Sequence, residues 1–434
     1  MLSMCKWPVG PCLCSVKYFG YLQAHNFCSY ILGSASVANV HTNARSRKTP
    51  KTAVLMLHHG QPRTPFYATK HLAQASHHYY KLPLRLTSSV TRLYWPWAKK
   101  IGLCVEDYKY SENISSVIGS YTQVLQECLN NLIPEHQPFF CTHAFLYEEP
   151  NIPSVIADLI RQGMERLILL PLYAHYSCFQ SGTMLNVAVK ALDELTIPLK
   201  KDGLSVIDHR LRILSHVSFR CSTIDRWSNH PVAVNFWYSM LQNQLKDHDS
   251  LLFVAPHMRG YNSKDYTREV WATCQRLIEF INEALPWKIA WFSPWNCWPT
   301  LTMESIELQL YFLRRDRRHR TLVLPISSFI PSFETESLLP NILQDQGVDL
   351  VSPPRFSAIL THGFAELIKN HLMGRKESSR LSCRCKLCFS TVCLLREAML
   401  APQREFSSEI YLGNTNLNDK AVEMQRNERT LLNS

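Results

Sequence analysis

Apolar positions along this chain alternate between two patterns. Short continuous runs closed by turn residues, such as TAVLMLHHG, PFFCTHAFLY (Pro138 to Tyr147) and ERLILLPLY (Glu165 to Tyr173), predict strands buried on both faces of a parallel sheet. Between them, Ser116 to Leu132 and IPSVIADLIRQGMER repeat at helical spacing, the second with Gly163 near its stop. AHYSCFQSG reads as a polar turn, and residues 190 to 220 as a polar, irregular insertion. CSTIDRW and a helix to about Lys246 follow.

The second half repeats the plan. SLLFVAPH, WKIAWFSPW (Trp287 to Trp295), TLVLPISSF (Thr321 to Phe329) and GVDLVSPP read as strands. TREVWATCQRLIEFINEAL, MESIELQLYFLRRDRRHR and FSAILTHGFAELIKNHLM read as helices. Alternating strands and helices imply parallel sheets with right-handed crossovers. The halves also look alike: AVLMLHHG against LLFVAPHMRG, and ERLILLPLY against RTLVLPISSF. The predicted fold class is α/β, two similar Rossmann-like domains with a cleft between them. His257 falls just past the end of the Ser250 strand, where open α/β sheets place their chemistry. The plain alternative is a histidine that satisfies a backbone carbonyl.

Charge changes the picture only once it is located. The net charge is +11, but residues 1 to 105 hold 13 of the 46 Lys and Arg and no acid, the first being Glu106. The remaining 33 bases face all 35 acids, so the body is near neutral and lacks the basic stripe of a nucleic-acid binder. An acid-free amino terminus closing on Arg45, Arg47 and Lys48 has the character of a mitochondrial presequence over residues 1–48; a basic tail is the other reading. No apolar run reaches the ~18 residues that cross a bilayer. Residues 62–105 concentrate aromatics and bases; Tyr94, Trp95 and Trp97 beside Lys99 and Lys100 suit a membrane interface or the lip of an apolar pocket. Of 15 cysteines, Cys383, Cys385, Cys388 and Cys393 cluster. Without a secretory signal, metal ligation is preferred to a disulfide framework.

These segments together resemble the ferrochelatases, which insert ferrous iron into protoporphyrin IX. The resemblance runs from about Lys51 to Cys393 and is carried by MLHHGQP, AFLYEEP, RQGMERLILLPLYAHYSC, STIDRW, APH with REVWATCQ, WFSP, MESI and LVLPISSFIPSFET. It implies chelatase-type domains at 49–235 and 236–375, a cysteine-cluster extension at 376–396 and a tail at 397–434 that reads as unstructured. It also implies His257 as proton acceptor and Glu334 as the acid that relays protons or guides the metal. Tyr147, Lys100, Tyr108, Ser115 and Trp298 match substrate-binding positions. Cys178 with Cys385, Cys388 and Cys393 matches the ligands of a 2Fe-2S cluster, four-cysteine zinc being the rival. Inner-membrane contact on the mitochondrial matrix side and a homodimer are implied as well, with no nucleic-acid partner.

The chain departs from the family at several positions. An Arg is replaced by Leu146, a glycine-rich loop by residues 112–116, an Asp-His pair by Pro331 and Ser332, and a further acid by Leu338. Two readings follow: an active, diverged ferrochelatase, or a catalytically impaired porphyrin- or haem-binding iron-sulfur protein of the same fold.

Overall fold

Seven consecutive buried residues, Thr52–His58, form β1 at the centre of the first of two sheets. The structure is a computed structural model that describes residues 51–61, 70–71, 73–75, 77–78, 83–89, 92, 113–196, 220–258, 263–282, 285–292 and 305–374. All of these belong to one compact unit, Thr49–Ser434. β1 is flanked by β2 (Phe139–Phe145) and β3 (Arg166–Pro171), and β4 (Arg220–Thr223) adds to β3, giving the order β2-β1-β3-β4. The second sheet holds β5 (Ser250–Pro256), β6 (Trp287–Phe292), β7 (Thr321–Leu324) and β8 (Asp349–Leu350) in the order β6-β5-β7-β8. Every pairing is parallel. The fold is α/β, as the alternating pattern predicts.

The two halves match strand for strand. Thr52 pairs with Arg166 where β1 meets β3, and Ser250 pairs with Thr321 where β5 meets β7. Thr52 and Ser250 are therefore equivalent, and so are the first residues beyond the two seven-residue strands, His59 and His257. The likeness of AVLMLHHG to LLFVAPHMRG is the likeness of β1 to β5.

Serines and asparagines begin several of the described helices. Asn151, Ser305 and Ser357 accept the Ser154, Leu308 and Leu360 amides, satisfying donors that the first turn leaves open. One core cluster takes Val54 and Ile168 from the first sheet and Phe253 and Leu322 from the second. At its centre Trp227 lies 4.6 Å from Phe329 and 5.1 Å from Phe364, ring centroid to centroid. The Pro231–Leu241 and Ala358–Leu372 helices meet there, and a Cβ added at Gly363 would overlap the Val232 side chain. Gly363→Ala is expected to destabilise the fold by about 1–3 kcal/mol through overpacking, read as a lower urea midpoint.

Several element ends differ from expectation. Residues 190–196 are not irregular: they complete the Thr183–Thr196 helix, whose Met184, Leu185, Ala188, Val189 and Leu192 are buried at helical spacing. Residues 197–219 lie outside the described residues. The helix expected from Met303 to Arg320 is Ile306–Arg315, started by the Ser305 cap and ended before Arg317, whose φ is 59°. The helix expected from Thr267 begins at Ser263. β7 stops at Leu324 because Pro325 has no N–H to continue the ladder.

Candidate functional site

Parallel strands deliver their carboxyl ends to one edge, and here both sheets deliver theirs to one cleft. The empty space between its walls is about 510 Å³ with the open solvent at its mouth included. His58, His59 and Tyr173 line it from the ends of β1 and β3, and Phe179 and Gln180 from the turn beyond. Pro256 and Met258 line it from the end of β5, with Ser332 and Glu334 from the segment after β7. Glu334 opens a short π-helical turn, Glu334–Leu338.

His257 sits between two of these wall residues. Its N–H donates to the Phe292 carbonyl at 2.8 Å, which ties the end of β5 to β6, and the residue is half-buried. Opposite it in the fold, His58 stacks on Tyr173 with ring centroids 5.3 Å apart. The Gly60 amide donates to His58 Nδ1 at 3.1 Å. Burial, with His71 and His143 nearby, pushes the His58 imidazole down to about 3, so the ring is neutral. Gly60 makes this turn possible: its φ is +89°, and the Glu148 side chain packs against it at 3.1 to 3.3 Å from where a Cβ would stand.

His59 is held by three rings, one of which also bonds it through its hydroxyl. It stacks on Tyr147 at 5.5 Å and leans on Tyr173 and Phe179 at 5.1 and 5.5 Å. Its Nδ1 lies 3.1 Å from the Tyr173 hydroxyl. Burial and the Glu334 carboxylate both raise the Tyr173 phenol well above its ordinary range, so it stays protonated.

The residues expected at the site divide into three groups. Glu334 lines the cleft and His257 follows β5 between two wall residues. Tyr147 is buried just beyond β2, stacked on His59, with its hydroxyl 3.1 Å from His78 Nδ1. Ser115 starts the Ile114–Leu132 helix, bonds His143 Nε2 at 2.8 Å and is not among the described lining residues. Cys178 is a half-exposed cysteine that opens the turn carrying Phe179 and Gln180. Lys100, Tyr108, Trp298, Cys385, Cys388 and Cys393 lie outside the described residues. Among those described, no group of three or more His, Cys, Asp or Glu could hold a metal, and no helix is long and apolar enough to cross a membrane.

The pair His58 and His59 did not stand out in the sequence. The rule that singles out His257, the first residue past a buried strand, applies equally to His59 once the two halves are aligned in register. Where the resemblance has a further acid this chain has Leu338, and where it has the histidine of an Asp-His pair this chain has Ser332. Leu338 is buried in the core beneath the second sheet, and the Ser332 hydroxyl is buried without a hydrogen-bond partner.

The ferrochelatase family model matches residues 51–299, more than half of the chain. The mitochondrial ferrochelatase of Bos taurus is 24% identical over 318 residues, 67% of this chain and 70% of that protein. That of Xenopus laevis is 24% identical over 417 residues, 86% of this chain and 92% of that protein. Among solved structures, SirB from Bacillus subtilis with Fe3+ covers 74% of this chain and 95% of its own at 13% identity and a TM-score of 0.43. Matched across both halves by proteins of one kind, the chain belongs to the ferrochelatase family.

Proposed function

We infer that this protein inserts Fe²⁺ into protoporphyrin IX to give protohaem, with His257 accepting a pyrrole proton and Glu334 serving as the acid on the metal and proton path. One observation carries the reading. Glu334 and both neighbours of His257 line a single cleft at the carboxyl ends of the two sheets. The chemistry asks for two N–H bonds to break while the hydrated metal sheds its water. A neutral imidazole can take such a proton, and imidazole with carboxylate suits a borderline divalent metal. Lys100, Tyr108, Ser115 and Tyr147 are read as groups for the propionates and ring edge, and Trp298 as the aromatic that stacks on the macrocycle.

Zinc insertion into a soluble free-base porphyrin by the purified chain tests the activity. Turnover supports it, and porphyrin binding without turnover leaves the second reading, an impaired binding protein. That second reading rests on the departures at Leu146, residues 112–116, Pro331, Ser332 and Leu338; Glu334 is the acid among the described residues of the cleft wall.

Cys178 is partly exposed and opens the turn that carries Phe179 and Gln180. With Cys385, Cys388 and Cys393 it is read as holding a 2Fe-2S cluster, which would crosslink two distant segments; no step of metal insertion runs through it. Cys178→Ser is expected to abolish the charge-transfer absorption of the purified chain and to halve its iron content or worse. Stoichiometric zinc with no such absorption would reassign the four thiols to zinc. The mitochondrial relatives and the basic amino terminus support a mitochondrial location; the matrix face of the inner membrane and a homodimer are read from the family resemblance alone.

A further inference from the structure

Free-base porphyrin must lose two protons, and the reading above assigns an acceptor to one. We propose that His59 is the second proton acceptor, the counterpart in the first half of His257 in the second; the inference rests on the proposed function. Three independent observations meet on this residue.

The first is register. His59 and His257 are each the first residue beyond the central strand of their sheet, and the pairing of β1 with β3 and β5 with β7 makes the positions equivalent. A porphyrin seated where these strand ends converge would have one imidazole contributed by each half.

The second is an atom without a partner. His59 lines the cleft, and its Nε2 is buried with no hydrogen bond of acceptable geometry. Buried polar atoms are almost always satisfied, and this one belongs to a ring on the cleft wall, with the Phe179 carbonyl as its nearest backbone influence. The adjacent His58 cannot serve the same end. Its Nδ1 already accepts the Gly60 amide, which places the neutral ring's proton on Nε2 and makes that atom a donor.

The third is a tautomer that leaves Nε2 as the lone-pair nitrogen of a neutral ring. In the Nδ1–H tautomer His59 donates to the Tyr173 oxygen 3.1 Å away, leaving the Nε2 lone pair open. The ring starts neutral: burial holds it well below the ordinary imidazole range, His58, His71 and His78 add to this, and the Phe179 carbonyl pulls the other way. The buried Tyr147 and Tyr173 phenols face it, and the Glu334 charge reaches Tyr173. The step balances simply. A pyrrole N–H bond breaks with its electron pair staying on nitrogen, an Nε2–H bond forms, and His59 becomes imidazolium. His257 takes the other proton, the metal dication replaces both, and each imidazolium returns its proton to water.

The test compares His59→Phe, which keeps an aromatic ring in the stack, with His59→Gln, which keeps a polar group that is not a base. Zinc insertion is measured for both beside the wild-type chain, with thermal unfolding as the check on folding. Both folded variants are expected to lose at least about 100-fold in kcat with KM changed little, the range for removing a general base. Full turnover in either folded variant, or a loss confined to KM, overturns the role and leaves packing as the reason for the ring. No turnover by the wild-type chain overturns the proposed function itself, a result read before any variant is scored.

Discussion

Replacing Arg226 by alanine is expected to destabilise the chain by about 3–5 kcal/mol, enough to consume a large share of the stability of an ordinary domain. Arg226 is 2% exposed. Its Nε and Nη2 donate to the two Asp225 oxygens at 3.3 and 3.1 Å, and its Nη1 donates to Glu269 Oε1 at 2.6 Å. The other Glu269 oxygen accepts the Tyr176 amide at 2.8 Å, and the guanidinium lies 4.6 Å from the Tyr176 ring. Burial raises the Glu269 carboxyl, and Arg226 is the main force holding against that. Alanine would leave two buried carboxylates without their cation. Lysine would keep the charge but lose the planar fork, so Arg226→Lys is expected to fall between wild type and alanine. A triple change of Arg226→Met, Asp225→Leu and Glu269→Leu is expected to cost less than Arg226→Ala alone, because no charge is then stranded. Urea midpoints of the four proteins check the ordering. An alanine variant as stable as wild type would refute the account.

The same cluster also shapes the cleft. Glu269 belongs to the Ser263–Ile281 helix of the second half, whereas Tyr176 and Arg226 belong to the first. Tyr176 stands two residues before Cys178 and three before the wall residue Phe179. The buried charges therefore join the halves beside the turn that carries part of the wall.

His257→Ala is expected to lower zinc insertion by roughly 100- to 10,000-fold with the unfolding midpoint nearly unchanged. The stability expectation follows from the backbone: the His257 amide bond to the Phe292 carbonyl is kept by any residue with an N–H, and the side chain is only half-buried. The loss of rate follows from chemistry, since alanine offers nothing to take the proton. Initial rates over a range of porphyrin concentrations separate kcat from KM. A variant retaining wild-type kcat would remove His257 from the mechanism and, with it, the main support for a catalytic reading of the cleft.

Much of this architecture is legible in the chain itself. β1, β3 and β5 are continuous apolar runs, and such runs have few alternatives to a strand covered on both faces. The duplication is legible too, because equivalent strands carry similar strings. Element ends were less secure. They depend on caps and special backbone angles, such as Ser305 and the positive φ of Arg317, that outweigh periodicity over a residue or two. The last turns of the Thr183–Thr196 helix were hidden because charged Lys190, Asp193 and Glu194 mask an apolar face of small residues.

The candidate site is a different matter. Local pattern determines that His257 and His59 each end a buried strand and that Glu334 follows the seventh, since strand ends are set by residues next to one another in the chain. The Gly60 amide that occupies His58 Nδ1 is a contact two residues away in the chain, but the convergence of these ends on one cleft and the burial of the His59 ring are decided by groups far apart in sequence. Only packing of the two sheets brings them together, because burial and hydrogen-bond satisfaction are properties of the assembled interior and not of any stretch of chain.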